Sequence, residues 1–256
     1  MSISSRVEEH VAEVVIDRPP VNALDVAGWH ALADLVRTLG DDPAVRALVL
    51  RAEGRGFCAG VDIKEMQAEH DRSGGHEALV GANRGCYAAF AAVYECAVPV
   101  IAAVHGFCLG GGIGLVGNAD VIVASDDASF GLPEVDRGAL GAATHLARLV
   151  PQHRMRHMVY TGERANAAEL ERHGSVLRVV PRAELREAAF AVARRICEKS
   201  PAAIRAAKQS LNGIDPVDVK KSYRFEQGFT FELNLLGVGD EARAAFVEGR
   251  EAKFSR

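Results

Sequence analysis

The sequence lacks the features that would tie it to a membrane, an oxidising compartment or a polyanion. Its five cysteines, Cys58, Cys86, Cys96, Cys108 and Cys197, are odd in number and include no Cys-x-x-Cys pair. A disulfide framework is therefore not expected, and a reducing cytoplasm is the natural compartment. No His/Cys/Asp cluster has metal-ligand spacing, so no metal is implied. No apolar run is long enough to span a bilayer. The opening Met1-Ser2-Ile3-Ser4-Ser5-Arg6 has no apolar stretch of the kind a secretory signal needs. Positive charge is not in excess either: 30 Lys and Arg stand against 34 Asp and Glu, for a net charge of −4. That balance speaks against nucleic-acid or membrane-surface partners, which select for a basic patch.

What the chain does have is a core. With 256 residues and 48% apolar content, it can form one large domain, or a domain with an appendage. Val11 to Asp17 is β-branched and half-alternating, as a strand requires, and Arg18-Pro19-Pro20 ends it. Asp25 is placed to cap a helix running through Trp29 and Leu35 to a stop at Gly40. Val45–Leu50, Pro99–Val104 and Ala119–Ala124 read as buried strands, and Glu77–Cys96 as an Ala-rich helix. Strands alternating with helices predict an α/β fold. After about Val180 the pattern becomes helical throughout: Ala183–Lys199, Pro201–Asn212, Val217–Leu236 and Asp240–Lys253, with Pro201 and Pro216 in first-turn positions. The expected organisation is an α/β core over residues 1–195 and a helical region over 196–256.

Three segments carry chemistry. Gly54-Arg-Gly-Phe-Cys-Ala-Gly-Val-Asp-Ile-Lys-Glu-Met66 follows a strand and opens a short helix at Asp62, leaving amides unpaired at a glycine turn. Val104-His-Gly-Phe-Cys-Leu-Gly-Gly-Gly-Ile-Gly-Leu115 also follows a strand, and its three consecutive glycines let a ligand approach the backbone. Ser129-Phe-Gly-Leu-Pro-Glu-Val135 presents one carboxylate, Glu134, directly after a proline. Neither glycine segment fits a nucleotide-binding fingerprint. Taken singly, each glycine segment is more often a structural turn, and a lone Glu134 more often a solvated carboxylate.

Taken together and in this order, the segments resemble the crotonase (enoyl-CoA hydratase/isomerase) superfamily. Arg-Pro-Pro-Val-Asn-Ala-Leu24 resembles its opening motif, and Ala-Ala-Phe-Val-Glu-Gly-Arg-Glu-Ala-Lys-Phe254 its C-terminal helix. The resemblance implies a spiral of ββα units with a helical C-terminal part, assembled as homo-trimers or as hexamers made of two trimers. It implies an acyl-CoA thioester as substrate, with coenzyme A part of that substrate and no permanently bound cofactor. It further implies that the backbone N–H groups of Val61 and Gly111 hold the thioester oxygen. Donors prearranged for a developing oxyanion are typically worth roughly 100- to 1000-fold each. CoA contacts would come from Val21, Ala23, Ala59, Asp62, Ile63 and Lys64, and from Phe246 and Lys253 in the tail.

The chain departs from the hydratase pattern at one place. Hydratases of this family use two glutamates; here the first position is Gly114, and Glu134 alone remains. One base and an oxyanion hole suit proton shuttling in a Δ3,Δ2-enoyl-CoA isomerase, or water activation for C–C cleavage with the electrons collected as a thioester enolate. Residues 130–153, Asn83-Arg-Gly-Cys-Tyr87, residues 92–101 and Phe225-Glu-Gln-Gly-Phe-Thr-Phe-Glu-Leu-Asn234 resemble the branch of the family that opens a bicyclic ring in steroid breakdown. That branch acts on 7a-methyl-1,5-dioxo-hexahydro-indene-carboxyl-CoA by a vinylogous retro-Claisen hydrolysis. On this reading the missing side chain at Gly114 leaves room for a bicyclic acyl group. Arg137 could orient a ketone and His145 could act as a second acid or base; a surface arginine and a helix-face histidine are the plain alternatives. A hydratase with a substitute carboxylate, and a non-catalytic CoA- or RNA-binding relative, stay open beside the hydrolase and the isomerase.

Overall fold

The computed structural model describes residues 3–73 and 75–254. A six-stranded sheet runs in the order β1 (Ile3–Glu8), β2 (Val11–Ile16), β4 (Ala47–Ala52), β6 (Val100–Val104), β8 (Val121–Ser125) and β11 (Arg178–Val180). The β1–β2 pair is antiparallel; the pairs from β2 across to β11 are parallel. Parallel strands are covered on both faces, which is why β2 and β6 are buried end to end. The two-residue side-chain period sorts their residues. Leu48 and Leu50 of β4 join the larger core with Trp29 and Phe90, while Ala47 and Val49 join a second core on the opposite face. The polar residue inside β2, Glu13, is 1% exposed. Burial alone would raise its pKa, but the guanidiniums of Arg186, Arg51 and Arg6 more than offset that and hold it at about 2.

Helices cover the sheet. On the larger core lie α1 (Val26–Asp41) and α3 (Glu77–Glu95). Asp25 caps α1 by accepting from the Gly28 amide at 2.6 Å, as its spacing predicted. On the second face lies α8 (Leu185–Cys197), which presents Leu185, Ala189, Phe190 and Ala193 to the strands. Short strands continue two of the main ones: β5 (Gly60–Val61) follows β4, and β7 (Phe107–Leu109) follows β6. β5 pairs with β3 (Ala23–Leu24), and β7 joins β9 (Ser129–Gly131) and β10 (Ala165–Asn166) in a three-stranded sheet. Each extension feeds a helix, α2 (Ile63–Ser73) after β5 and α4 (Gly111–Val116) after β7. The result is a repeated strand–strand–helix unit.

Beyond β9 the chain forms α5 (Ala143–Leu146), α6 (Gln152–Thr161) and α7 (Ala167–His173) before returning to β11. After α8 come α9 (Pro201–Gly213), α10 (Val219–Leu235) and α11 (Val238–Glu248). Pro201 is the first residue of its helix, as expected. Pro216 is not: α10 starts later, at Val219, because the Asp218 carboxylate accepts from the Lys221 amide and caps it there. No helix among the described residues is long and apolar enough to cross a membrane.

Candidate active site

The two glycine turns lie side by side, joined by backbone hydrogen bonds. Phe57 N donates to Phe107 O at 2.9 Å, and Leu109 N donates to Cys58 O at 2.8 Å. Gly60 makes the close approach possible. Its φ is +93°, and a Cβ there would sit 3.0 Å from the Gly111 nitrogen. Directly after β5, Asp62 N donates to Leu24 O at 3.0 Å. Successive strand amides point to opposite edges, so the Val61 amide is turned away from β3. Gly111 is the first residue of α4, where an amide has no partner within the helix. Val61 and Gly111, from separate turns, line one cavity, a placement compatible with two amide donors serving one oxyanion.

Glu134 is delivered to the same cavity by a short 3-10 helix, Pro133–Arg137, that follows β9. Gly110 N donates to Gly131 O at 3.1 Å, which ties this segment to the second turn. The carboxylate packs so closely on the turn that a Cβ at Gly110 would lie 2.6 Å from its Oε1. Its Oε2 is buried and has no hydrogen-bond partner. Burial pushes its pKa up to about 8; its own backbone N–H lowers it, the nearby Glu226 charge raises it, and Arg137 lowers it. A carboxyl so tuned is suited to proton transfer near neutrality.

These groups wall a cavity of about 290 Å³ whose lining includes Val61, Gly111, Glu134 and Arg137. That size suits an acyl group rather than a whole CoA. Its far side comes from α10 and α11, through Tyr223, Thr230, Asn234, Arg243 and Phe246. The loop between Glu134 and α5 is clamped from α10. Glu226 accepts from the Ala143 and Thr144 amides at 2.9 and 2.6 Å, and Thr230 accepts from the Leu140 amide at 3.0 Å. The clamp holds Ala142 at a φ of +62°, a conformation rare for a residue with a side chain.

The other expected positions divide. Ala59 and Ile63 line the cavity, and so does Phe246, beneath the Arg137 guanidinium at 4.1 Å. Val21 and Ala23 flank the first turn through the Ala59–Val21 hydrogen bond at 3.1 Å and the β3–β5 pairing. Asp62 is engaged by Arg18 and by the Glu65 amide at the start of α2. Lys64 and Lys253 are exposed. Two expectations are corrected. Gly114 does not open the pocket, because the Phe90 ring fills its place: a Cβ there would lie 2.2 Å from the ring's Cζ. His145 lies behind Phe90, in the core. It is 1% exposed, wedged between Phe90 and Tyr223, and Asn118 Oδ1 lies 3.2 Å from its Nδ1. Burial, then the Arg148 charge, hold its pKa down at about 3, so the ring stays neutral. Sequence reasoning gave no role to Asn83, Glu226, Thr230, Asn234 or Arg243, although four of the five lie in segments the resemblance picked out.

The enoyl-CoA hydratase/isomerase family pattern matches residues 6–256. The chain is 63% identical, over 97% of its length and 95% of the other, to a protein of Rhodococcus jostii (strain RHA1) named (7aS)-7a-methyl-1,5-dioxo-2,3,5,6,7,7a-hexahydro-1H-indene-carboxyl-CoA hydrolase. It is 62% identical, over 96% of its length and 98% of the other, to a protein of the same name from Mycobacterium tuberculosis (strain ATCC 25618 / H37Rv). The crystal structure of carnitinyl-CoA hydratase from Mycobacterium avium superposes with a TM-score of 0.84 at 30% identity, covering 99% of this chain and 98% of that one.

Proposed function

This chain belongs to the enoyl-CoA hydratase/isomerase family, and from that premise we propose that it hydrolyses a ring C–C bond of 7a-methyl-1,5-dioxo-hexahydro-indene-carboxyl-CoA, a step in steroid breakdown. The observation that carries this reading is a single buried carboxylate, Glu134, facing a two-amide oxyanion hole, while Phe90 fills the space a second glutamate would need. The relatives that are 62 and 63% identical are named as hydrolases of this thioester.

The reaction follows from that geometry. The thioester oxygen accepts from Val61 N–H and Gly111 N–H. Ionised Glu134 takes a proton from water, whose oxygen bonds to the five-ring ketone carbon. The bond from that carbon to the quaternary ring carbon then breaks. Its electron pair moves through the conjugated C=C onto the thioester oxygen, where the two amides stabilise it. The proton held by Glu134 returns to the enolate, leaving a carboxylic acid and an opened ring, so that one water is added overall. A cytoplasmic setting agrees with five free thiols. A homo-trimeric or hexameric assembly is supported by apolar side chains left open on α10 and just after it, Phe225 at 71%, Leu235 at 76% and Leu236 at 76% exposure.

Mass-spectrometric turnover tests the reading. The protein and Glu134→Gln each receive the bicyclic dioxo thioester, crotonyl-CoA and a 3-enoyl-CoA. Addition of one water to the bicyclic substrate alone, abolished by the substitution, is the expected result. Hydration of crotonyl-CoA or isobaric conversion of the 3-enoyl-CoA, with the bicyclic compound untouched, would return the chain to hydratase or isomerase chemistry. No turnover of any of the three, with CoA thioesters failing to bind, would point to a non-catalytic relative.

A further inference from the structure

Six buried side-chain polar atoms among the described residues have no hydrogen-bond partner, and three of these belong to residues lining the acyl cavity: Glu134 Oε2, Asn83 Nδ2 and Arg243 Nε. The reaction above uses the first. The other two are donors, and buried donors without partners are rare in folded proteins. Each is held in place by its other bonds. Arg243 is 7% exposed, and its two terminal nitrogens are taken by Asn234 and Asp240, which leaves Nε–H over. Asn83 accepts from Gln227 Nε2 at its backbone oxygen, at 2.8 Å, and at its side-chain oxygen, at 3.5 Å. That fixes the amide so that its NH₂ is the free end.

We propose that Asn83 and Arg243 are specificity-determining residues that read two carbonyl oxygens of the acyl group besides the thioester oxygen. This rests on the ring-opening reading and names what the far side of that site recognises. The count agrees: the dioxo-indene thioester carries three carbonyl oxygens, and beside the Val61/Gly111 pair two residues of the cavity wall, Asn83 and Arg243, each keep one donor without a partner. Charge assigns the pairings. The ketone attacked by water becomes a carboxylate, and a guanidinium N–H suits an oxygen that gains charge. The six-ring ketone keeps its carbon–oxygen framework through the reaction, and the neutral amide of Asn83 suits it. A straight-chain enoyl thioester has one carbonyl oxygen and would bury both donors unpaired. A site built to bond an oxygen rejects analogues that lack it, so the pair also accounts for discrimination against fatty acyl-CoA.

The test separates this from turnover by using Glu134→Gln as the parent, so that ligands bind without reacting. Calorimetric titration compares the bicyclic dioxo thioester with cyclohexanecarbonyl-CoA, which has a ring but no ring ketone. The parent is expected to prefer the dioxo compound. Asn83→Ala should cut that preference by roughly 3- to 10-fold, and Arg243→Lys by roughly 10- to 100-fold, with cyclohexanecarbonyl-CoA bound as before. An unchanged preference in folded variants would overturn the proposal, and so would equal weakening of both thioesters, which marks a structural role. Should Arg243→Lys not fold, Asn83→Ala on half-buried α3 decides alone. Failure of the unsubstituted protein to turn over the dioxo thioester counts against the ring-opening reading; the titration still decides whether the two donors read carbonyls.

Discussion

Replacing Glu134 by glutamine should stabilise the ligand-free protein while abolishing its chemistry, and the gain should depend on pH in a calculable way. Burial lifts the Glu134 pKa from an ordinary 4.5 to about 8. At pH 7 the unfolded chain ionises this carboxyl in water, whereas the folded chain must keep it protonated. Each pH unit between the two values costs about 1.4 kcal/mol. Its contribution to stability is therefore fully present below pH 4.5, falls by about 3 kcal/mol at pH 7, and levels off about 5 kcal/mol down above pH 8. Glutamine cannot titrate and has nearly the volume of the protonated acid, so it removes the slope without opening a hole. Denaturant unfolding of both proteins at pH 5, 6, 7 and 8 gives the difference directly. Glu134→Gln should be about 1 kcal/mol more stable at pH 5 and about 3 kcal/mol more stable at pH 7, the latter roughly 6–12 °C in midpoint. A difference that stays constant from pH 5 to pH 8 would refute the argument, because it would mean that the carboxyl does not titrate between them.

Other perturbations test the rest of the site. With Glu134 acting as an ionised base, kcat/KM on the dioxo thioester should rise with pH and level near 8; Glu226→Gln removes a charge that raises this pKa and should move the inflection to lower pH, which a pH–rate series reads. Gly60→Ala places a Cβ 3.0 Å from the Gly111 nitrogen at a φ of +93°; spreading the two donors should lower kcat by roughly 100-fold or more, and a change below tenfold in steady-state assays would argue against Gly111 as a donor. Gly114→Ala drives a methyl into the Phe90 ring and should cost about 1–3 kcal/mol in denaturant unfolding, part of it recovered by Phe90→Leu in the same chain.

The parts of the site legible in the sequence were those whose chemistry is local. A turn that frees an amide needs glycine within a few residues of a strand end, and Gly60 and Gly110–Gly112 stand there. A carboxylate brought in by a proline-led turn needs Pro133 beside Glu134. The main strands were legible because parallel strands buried on both faces become continuous apolar runs, as Val100–Val104 does. β1 was harder to read: Ile3–Glu8 is an edge strand with one partner, largely exposed, and Ser4-Ser5-Arg6 carries no apolar alternation.

What the sequence could not yield was contact between residues distant in the chain. Gly114 read as vacant space because its own side chain is missing, yet protein interiors are close-packed, and the vacancy was already filled by Phe90 from a helix some two dozen residues earlier. His145 looked available for acid–base work because it follows Glu134 closely; the α4–α5 packing instead turns it away behind Phe90, where it stays neutral. Asn83, Glu226 and Arg243 each sit on helices whose sequence pattern is that of an ordinary amphipathic surface. Only when α10 and α11 close over the cavity does a helix-face arginine become a buried donor, and a helix-face glutamate a clamp on the loop that follows the base. The proposed oxyanion hole and base would serve thioester chemistry in general, and they come from local turns. The rest of the cavity wall comes from side chains of α3, α10 and α11, and if Asn83 and Arg243 read the acyl group as proposed, substrate choice here rests on residues that have no motif of their own.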